Sequence, residues 1–345
     1  MSEYREIQGA AVQSLASSTG TLVGQIWYDT SNNNFKLQTF GTLNSFSSTP
    51  NLNVARGDVR GGGTASSGFF AGGGSPASPQ SNATENWDGS TWTVSGAMAT
   101  GVNGGGCAGT QAAGVMSYGS PGGGGTSGGG GLNVTQEYNA STWTTVNTAI
   151  DPTRQNTVGL GSQTAAIVFG GFTGPASPAT STNSTVEYNG TSWTSGGNLA
   201  QARQGIAGAG DNAAQTGCLA IMGMEEIAPG QTNKNSVEEY NGSAWTTKNG
   251  LNTARGYGAG LGTTARAVAI GGNVSPQTQT EIWDGTCWST NPSSTPRACR
   301  SLAVTGNYPG TFSASGVFGG GSPGSNVGTF EFTFDALQSK TLTTT

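Results

Sequence analysis

Short apolar runs, each ending in turn-forming residues, recur along this chain, and residues 203–245 show the arrangement most clearly. The segment opens R-Q-G-I-A-G-A-G and passes through Cys218-Leu219-Ala220-Ile221-Met222-Gly223. It then crosses a polar loop to reach S-V-E-E-Y-N-G-S-A-W-T. The small-residue alternation and the apolar run predict two strands, residues 237–240 a third, and Trp245 starts a fourth. Asn241-Gly242 predicts a two-residue turn between the last two, since both residues accept the positive φ of a tight hairpin.

The pattern repeats. Arginine-led starts occur at Arg56, Arg154, Arg203, Arg255 and Arg297, and the turn-plus-Trp hairpin at Trp92, Trp143, Trp193, Trp245 and Trp288. In a further unit Thr100-Gly101 stands in the arginine's place and Tyr118-Gly119 replaces a double glycine. A period near fifty residues with four strand-like segments is that of a propeller blade of the kelch class. The expected fold is therefore all-β: a kelch-like β-propeller of six four-stranded blades. Seven is the alternative if the N-terminal hairpin counts as a reduced blade. Residues 1–23 form an arm, 24–45 a β-hairpin for attachment or ring closure, and 46–345 the propeller. The sixth unit lacks the N-G-x-x-W element, so an N-terminal strand, from residues 25–37 or from the stretch before Arg56, is expected to complete it. Gly205, Ala207, Gly208 and Ala209 suit an innermost strand converging on the axis. The large rings, Trp92, Trp143, Trp193, Trp245 and Trp288 with Tyr138, Tyr188 and Tyr240, become the outer anchors.

Composition alone would suggest disorder, with 60 glycines and 9% charged residues among 345. The aromatic residues in register argue otherwise, because burying one Trp, with about 200 Å² of surface, is worth about 5 kcal/mol before entropy. The formal net charge of −5 comes without a basic cluster, so nucleic acid is not an expected partner. No apolar segment has spanning length and no secretory leader is evident, which predicts a soluble chain without membrane insertion. Cys107, Cys218, Cys287 and Cys299 form no C-x-x-C and are expected to be free thiols.

Residues 24–38, G-Q-I-W-Y-D-T-S-N-N-N-F-K-L-Q, predict a hairpin and are similar to the G-x-I-W-Y-(D/N)-T hairpin near the N-terminus of many tailed-phage fibre and virion proteins. With I-Q-G at residues 7–9 and the L-x-x-A-R-x-G…E-Y-N-G-x-x-W-T repeats, the chain resembles kelch-like propeller virion proteins (tail fibre or adhesin type) of marine or cyanobacterial tailed phages. The resemblance implies a virion structural protein assembled in the host cytoplasm. Its arm and hairpin, with Trp27, Tyr28, Asp29 and Phe35, would attach to other tail, baseplate or fibre proteins. Its propeller loops would contact a host surface glycan or protein, and homo-oligomers are compatible with such a role. A head or baseplate decoration without receptor role is the first alternative, and a glycan-degrading enzyme the second.

The chain has no histidine, which removes His-dependent triads and imidazole metal sites. Glu85, Glu137, Glu187, Glu239 and Glu281 are read as one repeat position and hence as architecture. Asp88 and Asp284 lie in W-D-G turns that lack the spacing of a sialidase Asp-box. Arg56, Arg154, Arg203, Arg255 and Arg297 form the candidate ligand ring, five guanidinium groups at one channel mouth suited to a carboxylate or acidic glycan. The competing reading has each bonding carbonyls of a neighbouring blade. Loops 75–83, 119–133, 172–184 and 225–236 leave one edge and are rich in Ser, Thr, Asn, Pro and Gly, the composition of adaptable contacts. No catalytic residue, metal or cofactor is expected, and the chain is read as not an enzyme.

Overall fold

The structure is a computed structural model describing residues 13–15, 26–40, 44–74, 81–121, 131–148, 153–173, 180–210, 215–227, 230–305, 315–319, 321, 327–334 and 337–341. Every regular element among them is a β-strand. The chain divides into two compact units, residues 45–333 and residues 1–44 with 334–345. The arm at residues 1–12 and most of the glycine-rich loop at 122–131 lie outside the described residues.

The larger unit is built from four-stranded antiparallel sheets arranged as blades. The first contains Arg60–Gly63, Gly68–Ala71, Thr84–Trp87 and Trp92–Ser95, each strand bonded to the next. Four more sheets repeat this order from Gly106–Gly109, Val158–Ser162, Ala207–Ala209 and Ala259–Gly262. The sixth joins Ala303–Thr305, Ser315–Gly319 and Thr329–Thr333 to Ser45–Thr49, with Phe46 opposite Phe332. The stretch before Arg56 thus supplies the missing outer strand, whereas Ile26–Asp29 and Asn34–Phe40 belong to the smaller unit.

The first strands of the sheets neighbour one another in cyclic order, the last contacting the first. Glycine is required where they meet: a Cβ on Gly62 would lie 2.7 Å from the Gly109 carbonyl, and one on Gly260 2.6 Å from that of Gly208. A second cycle runs outside them. The amides of Gly73, Gly119, Gly171, Gly223, Gly272 and Gly321 donate to the carbonyls of Val102, Arg154, Arg203, Arg255, Cys299 and Arg56 at 2.8–3.1 Å. Each bond links one unit to the next, and the sixth returns to the first.

Aromatic residues fill the outer part of each sheet. Tyr138 and Trp143, Tyr188 and Trp193, and Tyr240 and Trp245 are cross-strand pairs with centroids 4.7–4.9 Å apart. Trp87–Trp92 and Trp283–Trp288 continue the series, and Phe332–Phe46 provides its member in the sixth sheet. The same rings tie sheets together. The indoles of Trp143, Trp193 and Trp245 donate to the hydroxyls of Thr84, Thr135 and Thr185 in the preceding sheet, at 2.8, 2.9 and 3.0 Å. The hydroxyls of Tyr138, Tyr188 and Tyr240 donate to Asn86, Glu137 and Glu187 of that sheet.

Two local expectations change. The turn before each outer Trp has four residues: Tyr240 pairs with Trp245, and Asn241 Oδ1 accepts the amides of Ser243 and Ala244 at 3.0 and 2.9 Å. Asp88, Asn139, Asn189 and Asp284 cap the corresponding turns in the same way, because a short side-chain acceptor satisfies amides that the strands do not. The polar loop at 225–236 is instead a β-hairpin. Cys218–Ile227 and Gly230–Tyr240 continue beyond the sheet after a register shift between Ile221 and Gly223, helped by a Lys234–Glu225 ion pair of 2.6 Å.

In the smaller unit Gln13–Leu15 runs parallel to Ile26–Asp29, which pairs antiparallel with Asn34–Phe40. Leu337–Thr341 then pairs with Asn34–Phe40. The C-terminal segment therefore leaves the domain expected at 46–345 and covers what would otherwise be an open strand edge.

Candidate functional site

The sequence nominated the arginines first. Arg56, Arg154, Arg203 and Arg255 are at most 1% exposed, so they do not form a ring open to ligand. Arg56 Nη2 meets Glu85 Oε1 at 2.9 Å, Arg203 Nη2 meets Glu238 Oε1 at 2.6 Å, and Arg255 Nη1 pairs with Glu281. Arg56 Nη1 also donates to the carbonyls of Gly72 and Ala83, and Arg203 Nη1 to those of Met222 and Ser236. The second oxygen of Glu85, Glu238 and Glu281 accepts the amide of Asn53, Ala200 and Asn252, each at 2.7 Å. These carbonyls of Arg56 and Arg203 lie in the arginine's own unit rather than in a neighbouring one. Burial lowers the pKa of Arg56 and Arg203, opposed by the adjacent carboxylates.

Structural equivalence shifts two assignments. The cycle of carbonyls just described puts Val102 and Cys299, not Thr100 and Arg297, at the arginine position. Arg297 sits two residues earlier, donating to the Gly328 carbonyl at 3.0 Å beside the Phe330 ring. The carboxylates split likewise. Cross-strand pairing aligns Glu85, Gln136, Val186, Glu238 and Glu281, whereas Glu137, Glu187 and Glu239 lie one residue further on, level with Asn86. Where the arginine is Val102, the carboxylate is the neutral Gln136, bonded to the Thr100 backbone. Where the carboxylate is Val186, Arg154 stacks on Tyr118, 4.3 Å from its centroid.

The hairpin residues divide by face. Trp27 is 2% exposed, and Asp29 caps the turn by accepting the amides of Ser31 and Asn32. These two support the hairpin from within. Ile26, Tyr28 and Phe35 share the other face, where Ile26 and Phe35 are 40% and 46% exposed and Tyr28 packs edge-on against Phe35 at 5.2 Å.

Two residues beyond the arginine position the chain reaches the mouth of a cavity lined by the first strands of successive sheets, on the axis about which they follow one another. Asp58, Gly104, Asn156, Gly205, Tyr257 and Ser301 occupy that place, with φ of 52°, 67°, 55°, 57°, 58° and 53°. The backbone repeats here while the side chains do not. The Tyr257 amide donates to Gly205 O and the Ser301 amide to Tyr257 O, both at 2.7 Å, so successive units meet closely. Asn156 Nδ2 lies 3.0 Å from Gln204 Oε1 and 3.4 Å from the Tyr257 hydroxyl, which itself donates to Gln204 Oε1 at 3.4 Å. Gln204 Nε2 donates to Glu226 Oε2 at 2.5 Å. Arg60 Nε and Nη1 hold the carbonyls of Gly105 and Val59. Burial lowers the Arg60 pKa, with Asp58 opposing the shift. The Tyr257 pKa is pushed up to about 12, first by burial and then by the Asp58 and Glu226 carboxylates, against Arg300 and Arg60.

No family model matches the chain, and no curated protein matches it. Among solved structures it is similar to one described as "Structure of YjhT". The match has a TM-score of 0.62 at 12% identity and covers 85% of this chain and 99% of the other. At that identity the likeness speaks for a β-propeller-like fold and leaves chemistry to the residues above.

No recurring residue marks the axial mouth in the sequence. The available signal was the reverse: the residues just behind the arginine position, such as Asp58, Asn156 and Tyr257, change from unit to unit. No group of three or more His, Cys, Asp or Glu residues able to hold a metal occurs among the described residues. All four cysteines are free thiols, with Cys107, Cys218 and Cys299 buried and Cys287 exposed.

Proposed function

We propose that the chain is a six-bladed, kelch-like propeller of a tailed-phage particle, anchored by its smaller unit and presenting the ring to the host surface as a fibre or tail-tip module. The observation that supports this most is the division of labour between the units. The ring completes its own last sheet with Ser45–Thr49 and needs nothing from the hairpin. On one face of the smaller unit Ile26 and Phe35 are exposed and Tyr28 is half-buried among the described residues. The phage context comes from resemblance in the first forty residues. Attachment runs through that face, and the edge bearing the axial mouth and the hairpin of Cys218–Ile227 and Gly230–Tyr240 makes weak contacts multiplied by copy number.

Particles assembled with Ile26→Asp/Phe35→Asp chain test the reading. They should lack the protein while the purified variant keeps wild-type circular dichroism and melting. Imaging wild-type particles should place the axial mouth outward. Incorporation of the double variant at wild-type level would refute the attachment face, and a mouth buried against other subunits would favour a decoration role.

A further inference from the structure

We propose that the axial mouth, formed by Asp58, Arg60, Asn156, Gln204, Glu226 and Tyr257, is a binding site for the terminal residue of a neutral saccharide. The inference goes beyond the particle assignment and does not depend on it, because binding is read on the isolated chain.

The backbone supplies the first argument. All six equivalent positions at the mouth lie in the left-handed region, yet only Gly104 and Gly205 are the residue that adopts it without cost. Asp and Asn enter this region with modest strain, but Tyr257 and Ser301 each carry about 1 kcal/mol of it. Side chains that differ in each unit, held at one repeated backbone position beside a common cavity, give the mouth a composition of its own.

The second argument is chemical. The side chains come from different units and are joined by the Asn156–Gln204–Tyr257 contacts and the Gln204–Glu226 bond. Asp58 and Glu226 are matched in charge by Arg60 and Arg300, whose fields all reach the Tyr257 hydroxyl. With no net charge the mouth has no reason to prefer an anion or a cation. Carboxylates, amides and a guanidinium offer closely spaced acceptors and donors, the complement of vicinal hydroxyls, which both donate and accept. Arg60 Nη2 makes no hydrogen bond among the described residues and lies near Gly104, whose hypothetical Cβ would be 3.6 Å away. Tyr257 adds an aromatic ring laid over Gly205, where a Cβ would approach the ring carbons to 3.0 Å.

Size completes the argument. The mouth opens on a cavity of about 70 Å³ whose lining includes Arg60 and Tyr257 together with Gly61, Leu160, Gly208 and Leu302. The first strands are in contact around the whole cycle, glycine backbone against backbone, which suits a chain end and not a threaded polymer. The ligand is thus an end residue entering edge-on.

Saturation-transfer NMR on the full chain tests this with the methyl glycosides of glucose, galactose, mannose and N-acetylglucosamine, and with glucuronate and glucosamine as charged probes. Transfer to at least one neutral glycoside is expected. Asp58→Asn and Asn156→Gly, which tolerate the positive φ and so preserve the fold, should weaken it about tenfold or more, as loss of a bond to a charged or buried group does. Arg60→Gln should do the same, while Val146→Ser on an exposed outer strand should not. Absence of transfer to every neutral probe, transfer confined to a charged probe, or equal transfer in wild type and the mouth variants would each overturn the proposal. None of these results bears on where the chain sits on a particle, and failed incorporation would leave the binding result standing.

Discussion

The buried Arg203–Glu238 pair can be exchanged for a neutral pair that the chain itself uses elsewhere. Glu238 accepts Arg203 Nη2 at 2.6 Å and the Ala200 amide at 2.7 Å, with both side chains at most 2% exposed. Removing one partner strands the other charge away from water. Arg203→Val and Glu238→Gln should therefore each cost about 3–5 kcal/mol, the arginine change at the upper end because its two carbonyl partners, Met222 and Ser236, also lose a donor. In the second unit Val102 and Gln136 hold the same two places, and Gln136 exchanges hydrogen bonds of 2.9 Å with both backbone groups of Thr100. The double variant Arg203→Val/Glu238→Gln reproduces that pair. It should recover most of the loss and end about 1–2 kcal/mol below wild type, the residue being the two unsatisfied carbonyls. Urea denaturation of wild type, both single variants and the double variant closes a cycle whose coupling should exceed about 2 kcal/mol. A double variant as unstable as the sum of the singles would refute the claim that the pair is held by mutual neutralisation.

Four further variants test the repeat. Val237 stands where Thr84, Thr135 and Thr185 receive the next sheet's indole, and Trp288 Nε1 has no partner. Val237→Thr should raise stability by about 1 kcal/mol in urea melts, and Thr185→Val should lower it by about as much. Ala140 holds φ of 77° where the other turns have Gly89, Gly190, Gly242 and Gly285, so Ala140→Gly should stabilise by about 0.5–1 kcal/mol by the same measurement. Hydrogen bonds to Ser90 and Thr91 hold the Asp88 pKa far below the usual carboxylate range, and turn bonds lower Asp284 against its burial. A depressed folded pKa contributes stability that is complete above the unfolded value near 3.9 and is lost as pH falls through the folded one. Asp88→Asn/Asp284→Asn, which copies the Asn-capped turns, should leave melting at pH 7 nearly unchanged and flatten its fall below about pH 4.

The sequence was most readable where one residue type has one mechanical use. Trp at fifty-residue intervals marked the outer strands, and double glycines marked the ends of second strands, because a bulky ring or a positive φ fits at one point in the repeat. The missing outer strand was legible for the same reason: a sheet lacking its aromatic hairpin must borrow one, and Ser45–Thr49 brings Phe46 to Phe332. What failed was alignment across substitutions. E-N-W, E-Y-N and E-I-W look equivalent, but buried carboxylates at Glu85, Glu238 and Glu281 face Arg56, Arg203 and Arg255, while Glu137 and Glu187 face the next sheet's tyrosines. Arg297 was misplaced because its unit carries Cys299 at the buried position, and nothing in a one-dimensional pattern says which of two nearby residues points inward. The pairing of Leu337–Thr341 with Asn34–Phe40 has no local signature, since both are unremarkable β-prone runs far apart in sequence.

Both units share a mode of closure that bears on how the chain assembles. The sixth sheet joins Thr329–Thr333 to Ser45–Thr49, and the smaller unit joins Leu337–Thr341 to Asn34–Phe40. Each therefore depends on pairing between segments nearly three hundred residues apart, the costliest kind of contact to form because the intervening loop must be closed first. The first five sheets contain their own strands in chain order and can form as local meanders. Their mutual bonds, the glycine amides to the next unit's carbonyls and the indoles to the preceding unit's threonines, reward addition of each sheet to the last. On this logic the pairing of Thr329–Thr333 with Ser45–Thr49 is expected to form last. Asp58, Asn156 and Tyr257 belong to different units, so the saccharide site proposed above needs several sheets brought together and cannot be offered by a single repeat.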